Sequence, residues 1–352
     1  MKICIFGAGA IGGYLATHLA QNDGVEVSVI ARGEHLAAIR RDGLVIQSPR
    51  GELRARVAAS DDAADLGIQD FVIVALKSHQ VAAALEGIRP LLGPGTAVLP
   101  PTTGIPYWYF HALQGPFLDR RIERLDPQGR QWRALAPERV IGCVYWVASE
   151  VTAPGVIHHD GSLSRFPIGE PDGSSSARLM RLAGAFAGGG LDAPVVPDIR
   201  AWIWAKMISS LCWNPVATLT LATLSEMNAR PEIVAIVRRM MTEADALAQR
   251  LGVERMPISI DQRIEAAQKA GAHKMSMLQD LERGRALELD VLVDSIESMR
   301  ELAESPTPTL DTVYALLKLR AASGPPKPSW SAPGGDGGLA PSSGQAGEGA
   351  RP

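Results

Sequence analysis

Three cysteines in 352 residues, Cys4, Cys143 and Cys212, are too few and too scattered for a disulfide framework or a metal site. They stand in apolar company and are expected to be reduced thiols in a cytoplasmic protein. An excess of one charge sign is missing too: 35 Lys and Arg against 38 Asp and Glu leave a formal net charge of −3. There is no basic run either, so neither nucleic acid nor an anionic membrane is an expected partner. No window approaches the roughly 20 apolar residues of a membrane span. At the N-terminus a strand begins at once, with no charged region ahead of a long apolar stretch, so no signal peptide is expected. What is present is an ordinary globular composition, 46% hydrophobic, with length enough for two domains.

The first fourteen residues organise the rest. Ile3 to Phe6 reads as a buried strand, and Gly7, Gly9 and Gly12 follow at the spacing G-x-G-x-x-G before a helical pattern from Ala10 to Gln21. Strand, glycine turn and helix form the context of a dinucleotide site. Gly7 permits the tight turn, Gly9 lets a pyrophosphate approach the backbone, and Gly12 lets the helix pack close to the strand. The helix offers free N–H groups and a positive dipole end. Val25 to Ile30 reads as the second strand, and Arg32 stands twenty residues after Gly12, where an NAD-binding fold places an acid. A forked cation there suits a 2′-phosphate and points to NADP(H); the other reading makes Arg32 a surface charge and Glu34 the ribose acceptor.

Further on, Gly43–Gln47 and Leu53–Val57 read as a hairpin, and Phe71–Leu76 as a central parallel strand ending at Lys77. A residue at that end faces the ligand crevice, so Lys77 is a candidate contact, or else a solvated strand-end lysine. Thr96–Leu99 leads into a rigid Pro100–Pro106 loop, and Tyr107–Phe110 would either wall a nicotinamide pocket or pack beneath that loop. Residues 114 to 137 are expected to leave the sheet. Val140–Ser149, Ala153–His158 and Leu163–Ile168 read as further strands, with Gly155 in a type II turn. His158 and His159 point opposite ways in a strand and have no third ligand nearby, which argues against a metal. A helix is expected from Ser174 to Gly188 and an edge strand from Pro194 to Pro197.

From Asp198, a helix cap, the pattern is helical to Ala321. The expected architecture is α/β: a Rossmann-type doubly wound sheet domain (1–197), an all-helical substrate and catalytic domain (198–322), and a Pro/Gly/Ser-rich tail (323–352) too poor in apolar residues to order. Lys206, Ser210 and Asn214 lie four apart along one stripe of an apolar helix. Partial burial would pull Lys206 towards the range for proton transfer, unless the side chain snorkels to water. Ser276 reads as a helix cap, with Asp280 in the first turns. Glu288 opens a long helix whose carboxylate could pair with Lys206, or simply sits as a surface charge.

Together these pieces resemble the ketopantoate reductase family, from Met1 to about Ala321. Gly7-Ala8-Gly9-Ala10-Ile11-Gly12-Gly13 is similar to that family's cofactor loop. Arg32-Gly33 resembles its 2′-phosphate recognition point, and Lys77-Ser78-His79-Gln80 its Lys-x-x-Gln strand end. Pro154-Gly155, Lys206 with Asn214-Pro215, and Ser276-Met277-Leu278-Gln279-Asp280 with Glu288 resemble its later motifs. The resemblance implies NADPH-dependent reduction of a 2-oxoacid, 2-dehydropantoate to pantoate, in pantothenate synthesis and without a metal. It implies Lys206 as general acid, Glu288 as its orienting partner beside the cofactor, Asn214 and Ser276 as substrate ligands, and Lys77 near the nicotinamide ribose and substrate. Thr103 and Ser210 stand where the family usually has Asn; both still hydrogen-bond, Thr103 towards the cofactor and Ser210 towards the substrate, but reach less far. Other readings are a reductase of another small ketoacid, and an NADP(H)-binding sensor without turnover. The apolar faces of the helical domain would serve a homodimer or its own core.

Overall fold

Strand β1 (Lys2–Phe6) divides its side chains between the two faces of a sheet: Ile3 and Ile5 join one core, Cys4 and Phe6 the other. The computed structural model describes residues 1–323 except 286 and 288, and the side chain of 290 apart. After β1 come α1 (Ala10–Leu19), β2 (Glu26–Ile30), α2 (Gly33–Asp42), β3 (Leu44–Ser48), β4 (Gly51–Ala55), β5 (Ala58–Ser60), β6 (Phe71–Val74), α3 (Ser78–Ile88) and β7 (Ala97–Leu99). Five strands form one parallel sheet in the order β5-β2-β1-β6-β7. β6 splits as β1 does, Phe71 and Ile73 against Val72 and Val74. A sheet buried on both faces is why these strands read as unbroken apolar runs. The order reverses at β1, so a crevice opens beyond its C-terminal end, between the turns into α1, α2 and α3.

The chain then passes through α4 (Arg130–Leu135) in the excursion from the sheet, followed by β8 (Gly142–Cys143), β9 (Ser149–Ala153), β10 (Val156–His159), β11 (Ile168–Gly169) and α5 (Ala177–Gly188). The hairpin β3–β4 is the edge of a second sheet, ordered β4-β3-β10-β9, with β10 parallel to β3 and antiparallel to β9. Three expected strands are corrected. Leu163–Ile168 makes only a bridge from Arg165 to Trp146 before β11 begins at Ile168. Val140–Ser149 is regular only at Gly142–Cys143, and the chain re-pairs as β9, with Gly155 at φ +77 in the turn to β10. Pro194–Pro197 makes a single bridge, Val195 to Ile168, because its two prolines have no N–H for a ladder.

Among the described residues seven helices follow: α6 (Ile199–Thr220), α7 (Leu224–Asn228), α8 (Pro231–Arg250), α9 (Ile260–Lys269), α10 (Ser276–Glu282), α11 (Leu289–Ala303) and α12 (Pro308–Ala322). Asp198 caps α6, accepting from the Ala201 N–H at 3.1 Å. Pro215 inside α6 has no N–H for the Leu211 carbonyl, and the Tyr314 hydroxyl of α12 donates to it instead, at 3.1 Å. The aromatic run 107–110 is core, and only Tyr107 also lines a cavity, a small one of about 220 Å³. Trp108, Tyr109 and Phe110 are fully buried, and the Trp204 indole N–H donates to Tyr109 Oη at 2.7 Å. That run, α6 and one face of the parallel sheet share a single core. Of the expected disordered tail only Ser323 is described, as the end of α12; the rest lies outside the described residues.

Candidate active site

The β1–α1 turn is shaped by contacts that a side chain would break. A Cβ on Gly12 would lie 2.0 Å from the Gly7 carbonyl oxygen and 2.9 Å from Ala75 Cβ, so the helix reaches its strand only with glycine there. A Cβ on Gly9 would meet nothing within 4 Å, because that face opens into the crevice. The first N–H groups of α1 have no intrahelical acceptor, and no acid occupies its first turn. These features fit a pyrophosphate: free donors, a positive dipole end and backbone that can be approached.

Two clefts meet at this turn. The first, about 560 Å³, is lined by Gly7, Ala8, Gly9, Arg32, His35, His79 and Gln80. Arg32 lies just beyond β2 as the residue before α2 and lines this cleft, whereas Glu34, in the first turn of α2, does not. The second cleft, about 630 Å³, shares Gly7, Gly9, Leu76 and Gln80 with the first. Its walls bring together Ala10, Ile11, Lys77, Thr103, Lys206, Ser210, Asn214 and Ser276. Residues separated by two hundred positions thus surround one space. Ala8 and Arg32 line the first cleft only, and Gly12 lines neither, being packed beneath the turn. Glu288 lies outside the described residues.

Local structure explains how each side chain is held. The Gln80 side chain turns back to accept the Lys77 N–H at 3.2 Å, closing the start of α3 beside the lysine. Thr103 is exposed on the loop after β7, and its carbonyl accepts from Ser78 Oγ at 3.3 Å. Two residues on, the Ile105 N–H donates at 2.9 Å to the buried Ser295 hydroxyl of α11, tying that loop to the helical region. Lys206, Ser210 and Asn214 do share a stripe of α6 facing the second cleft. Burial pulls the Lys206 ammonium down to about 8. Burial pushes the Cys143 thiol up to about 12, so it stays neutral.

Ser276 is not the cap expected from sequence. It is the first residue of α10, after Met275, which makes no side-chain cap. The cap comes from another helix: the Asn214 side-chain carbonyl accepts the Met277 N–H at 3.2 Å. This ties α10 to the lysine helix and leaves the Asn214 amide group as a donor and the Ser276 hydroxyl in the cleft. Sequence reasoning missed Tyr145, Val147 and Ser149, which also line this cleft. Their alternation on an extended segment was the available signal, but nothing local showed which face meets a ligand. Asp280 lines it too, held by Arg285 at 3.2 Å.

The family model described as ketopantoate reductase PanE/ApbA matches residues 3–108, and its C-terminal counterpart matches residues 198–321. A 2-dehydropantoate 2-reductase from Mesorhizobium japonicum is 47% identical over 319 residues, covering 90% of this chain and 97% of the relative. The chain belongs to the ketopantoate reductase family. It is an oxidoreductase that takes a nicotinamide cofactor. Among solved structures, one from Ralstonia solanacearum MolK2 superposes with a TM-score of 0.81 at 36% identity, covering 91% of this chain and 98% of that one. The 2-dehydropantoate 2-reductase of Geobacter metallireducens GS-15 gives 0.77 at 25% identity, covering 91% and 99%. In this family frame the two clefts occupy one continuous crevice at the reversal point of the parallel sheet.

Proposed function

We propose that this protein reduces 2-dehydropantoate to pantoate, with Lys206 as the proton donor and NADP(H) as the cofactor. The observation that carries the reading is Lys206, poised near 8 in a cleft shared with the glycine turn. Bound NADPH supplies the hydride. Reduction of a ketone builds negative charge on its oxygen, and a positioned ammonium both stabilises that charge and gives up the proton. The Ser276 hydroxyl and the Asn214 amide group, one helix apart, are suited to hold the substrate carboxylate and hydroxyl. Ser210, one turn from Lys206, supplies a further short-reach donor. Arg32 is assigned to the 2′-phosphate, Lys77 and Thr103 to the nicotinamide end, and Glu288 to the orientation of Lys206. The name of the relative from Mesorhizobium japonicum supports the choice of substrate.

We place the protein in the cytoplasm, a reading supported by three buried free thiols. No helix among the described residues is long and apolar enough to cross a membrane. The test is NADPH oxidation with 2-dehydropantoate beside a panel of 2-oxoacids carrying smaller, larger and aromatic substituents. Highest kcat/KM with 2-dehydropantoate is the expected result. A preference for another member would reassign the substrate while keeping the chemistry. Tight NADPH binding without turnover on any would overturn the enzymatic reading.

A further inference from the structure

His35 belongs to neither the glycine turn nor the Lys206 stripe. It stands three residues after Arg32 on α2, half-buried, and lines the first cleft. Its ring spans two backbone groups distant in sequence. Nε2 lies 2.7 Å from the Ala8 carbonyl oxygen, and the Gly155 N–H meets Nδ1 at 3.0 Å. A nitrogen that accepts an N–H carries no proton of its own. The ring is therefore the neutral tautomer with its proton on Nε2, donated to Ala8. Both partners are held from behind. The Ala8 N–H donates to the Ile30 carbonyl at 3.0 Å, and the Gly155 carbonyl accepts from Val45 at 3.0 Å.

We propose that His35 is a positioning residue for the nicotinamide nucleotide, orienting the Ala8–Gly9 peptide for the pyrophosphate; this rests on reading the glycine turn as the pyrophosphate site. The physical reason is peptide geometry. In a trans peptide the carbonyl and the following N–H point opposite ways, so anchoring the Ala8 oxygen on α2 turns the Gly9 N–H away from that helix. Gly9 has no side chain to resist rotation of this plane, so the restraint must come from outside the turn. His35 supplies it. Through Gly155 the same ring couples the turn to β9, whose first residue, Ser149, lines the second cleft.

The full-length protein is titrated calorimetrically with NADPH and with 2′-AMP, which carries a 2′-phosphate and no pyrophosphate. His35→Leu is expected to weaken NADPH roughly three- to tenfold, the net worth of one or two hydrogen bonds, and to leave 2′-AMP unchanged. KM for NADPH rises by the same factor while kcat at saturating NADPH holds. His35→Gln, whose amide N–H extends about as far as Nε2, recovers most of the loss, and His35→Asn, which is shorter, does not. If the Leu variant fails to fold, the ordering of Gln above Asn decides the matter. Equal losses for NADPH and 2′-AMP, identical Gln and Asn variants, or unchanged NADPH binding in the Leu variant would each overturn the proposal. A wild-type protein that binds 2′-AMP but not NADPH would instead refute the pyrophosphate reading, and the role of His35 with it.

Discussion

The two clefts differ in what they are made of. The first is built around one local motif, a turn, a helix start and a strand end within the first 35 residues, with Arg32 as the charged side chain of that stretch and a second wall from α3. The second is largely side chain, drawn from the loop after β7, the 145–149 segment, α6 and α10. Backbone recognition needs only the right local conformation, so a short motif can carry it. Side-chain recognition needs several helices packed in register, so it depends on the whole core. It follows that changes to one cleft should separate cleanly from changes to the other.

The largest separation is expected at Lys206. Lys206→Met keeps the apolar stem and removes the proton, and kcat should fall roughly a hundred- to ten-thousandfold. NADPH affinity, read by fluorescence titration, should stay within a factor of about two. Turnover close to wild type would remove Lys206 from the chemistry. The converse change is Arg32→Glu, which opposes a 2′-phosphate. NADPH binding should weaken roughly ten- to a hundredfold with NADH much less affected, and kcat at saturating cofactor should hold. Equal losses for the two nucleotides would return the ribose to Glu34.

A smaller effect follows pH. The Lys206 ammonium titrates near 8, below its ordinary value, because burial disfavours the charged form. The acid must be charged to give its proton, so kcat for reduction should be flat below about 8 and fall about tenfold per unit above it. The reverse oxidation should rise through the same range. A reduction rate independent of pH from 7 to 9 at saturating substrate, with chemistry rate-limiting, would argue against this acid. The smallest effect is structural. Tyr314→Phe strands the Leu211 carbonyl freed by Pro215 and should cost about 1 kcal/mol of stability in thermal melts. Since Tyr314 touches neither cleft, cofactor affinity should not move.

How much of the site was legible depends on which side of this contrast a residue falls. The glycine turn could be read because each glycine answers a local demand, and the contact of Gly12 with Gly7 bears that out. The Lys206–Ser210–Asn214 stripe could be read because helical period alone puts them on one face. Ser276, a serine before an apolar helical run, has the sequence signature of a cap, yet the cap comes from Asn214, 62 positions earlier. The aromatic run 107–110 could equally be pocket or core, and only the packing of α6 against it decides for core.

By itself, then, the chain determined the strands of its parallel sheet, its glycine turn and the helical stripe that bears the lysine. Each follows from periods of two or 3.6 and from backbone sterics within a few neighbouring residues. The tertiary structure alone decided that the stripe and the turn share one cleft, that Asn214 holds the helix of Ser276, and that Tyr145, Val147 and Ser149 line that cleft too. Those contacts join segments tens to hundreds of residues apart, and they exist only once burial of a shared core has brought the segments together.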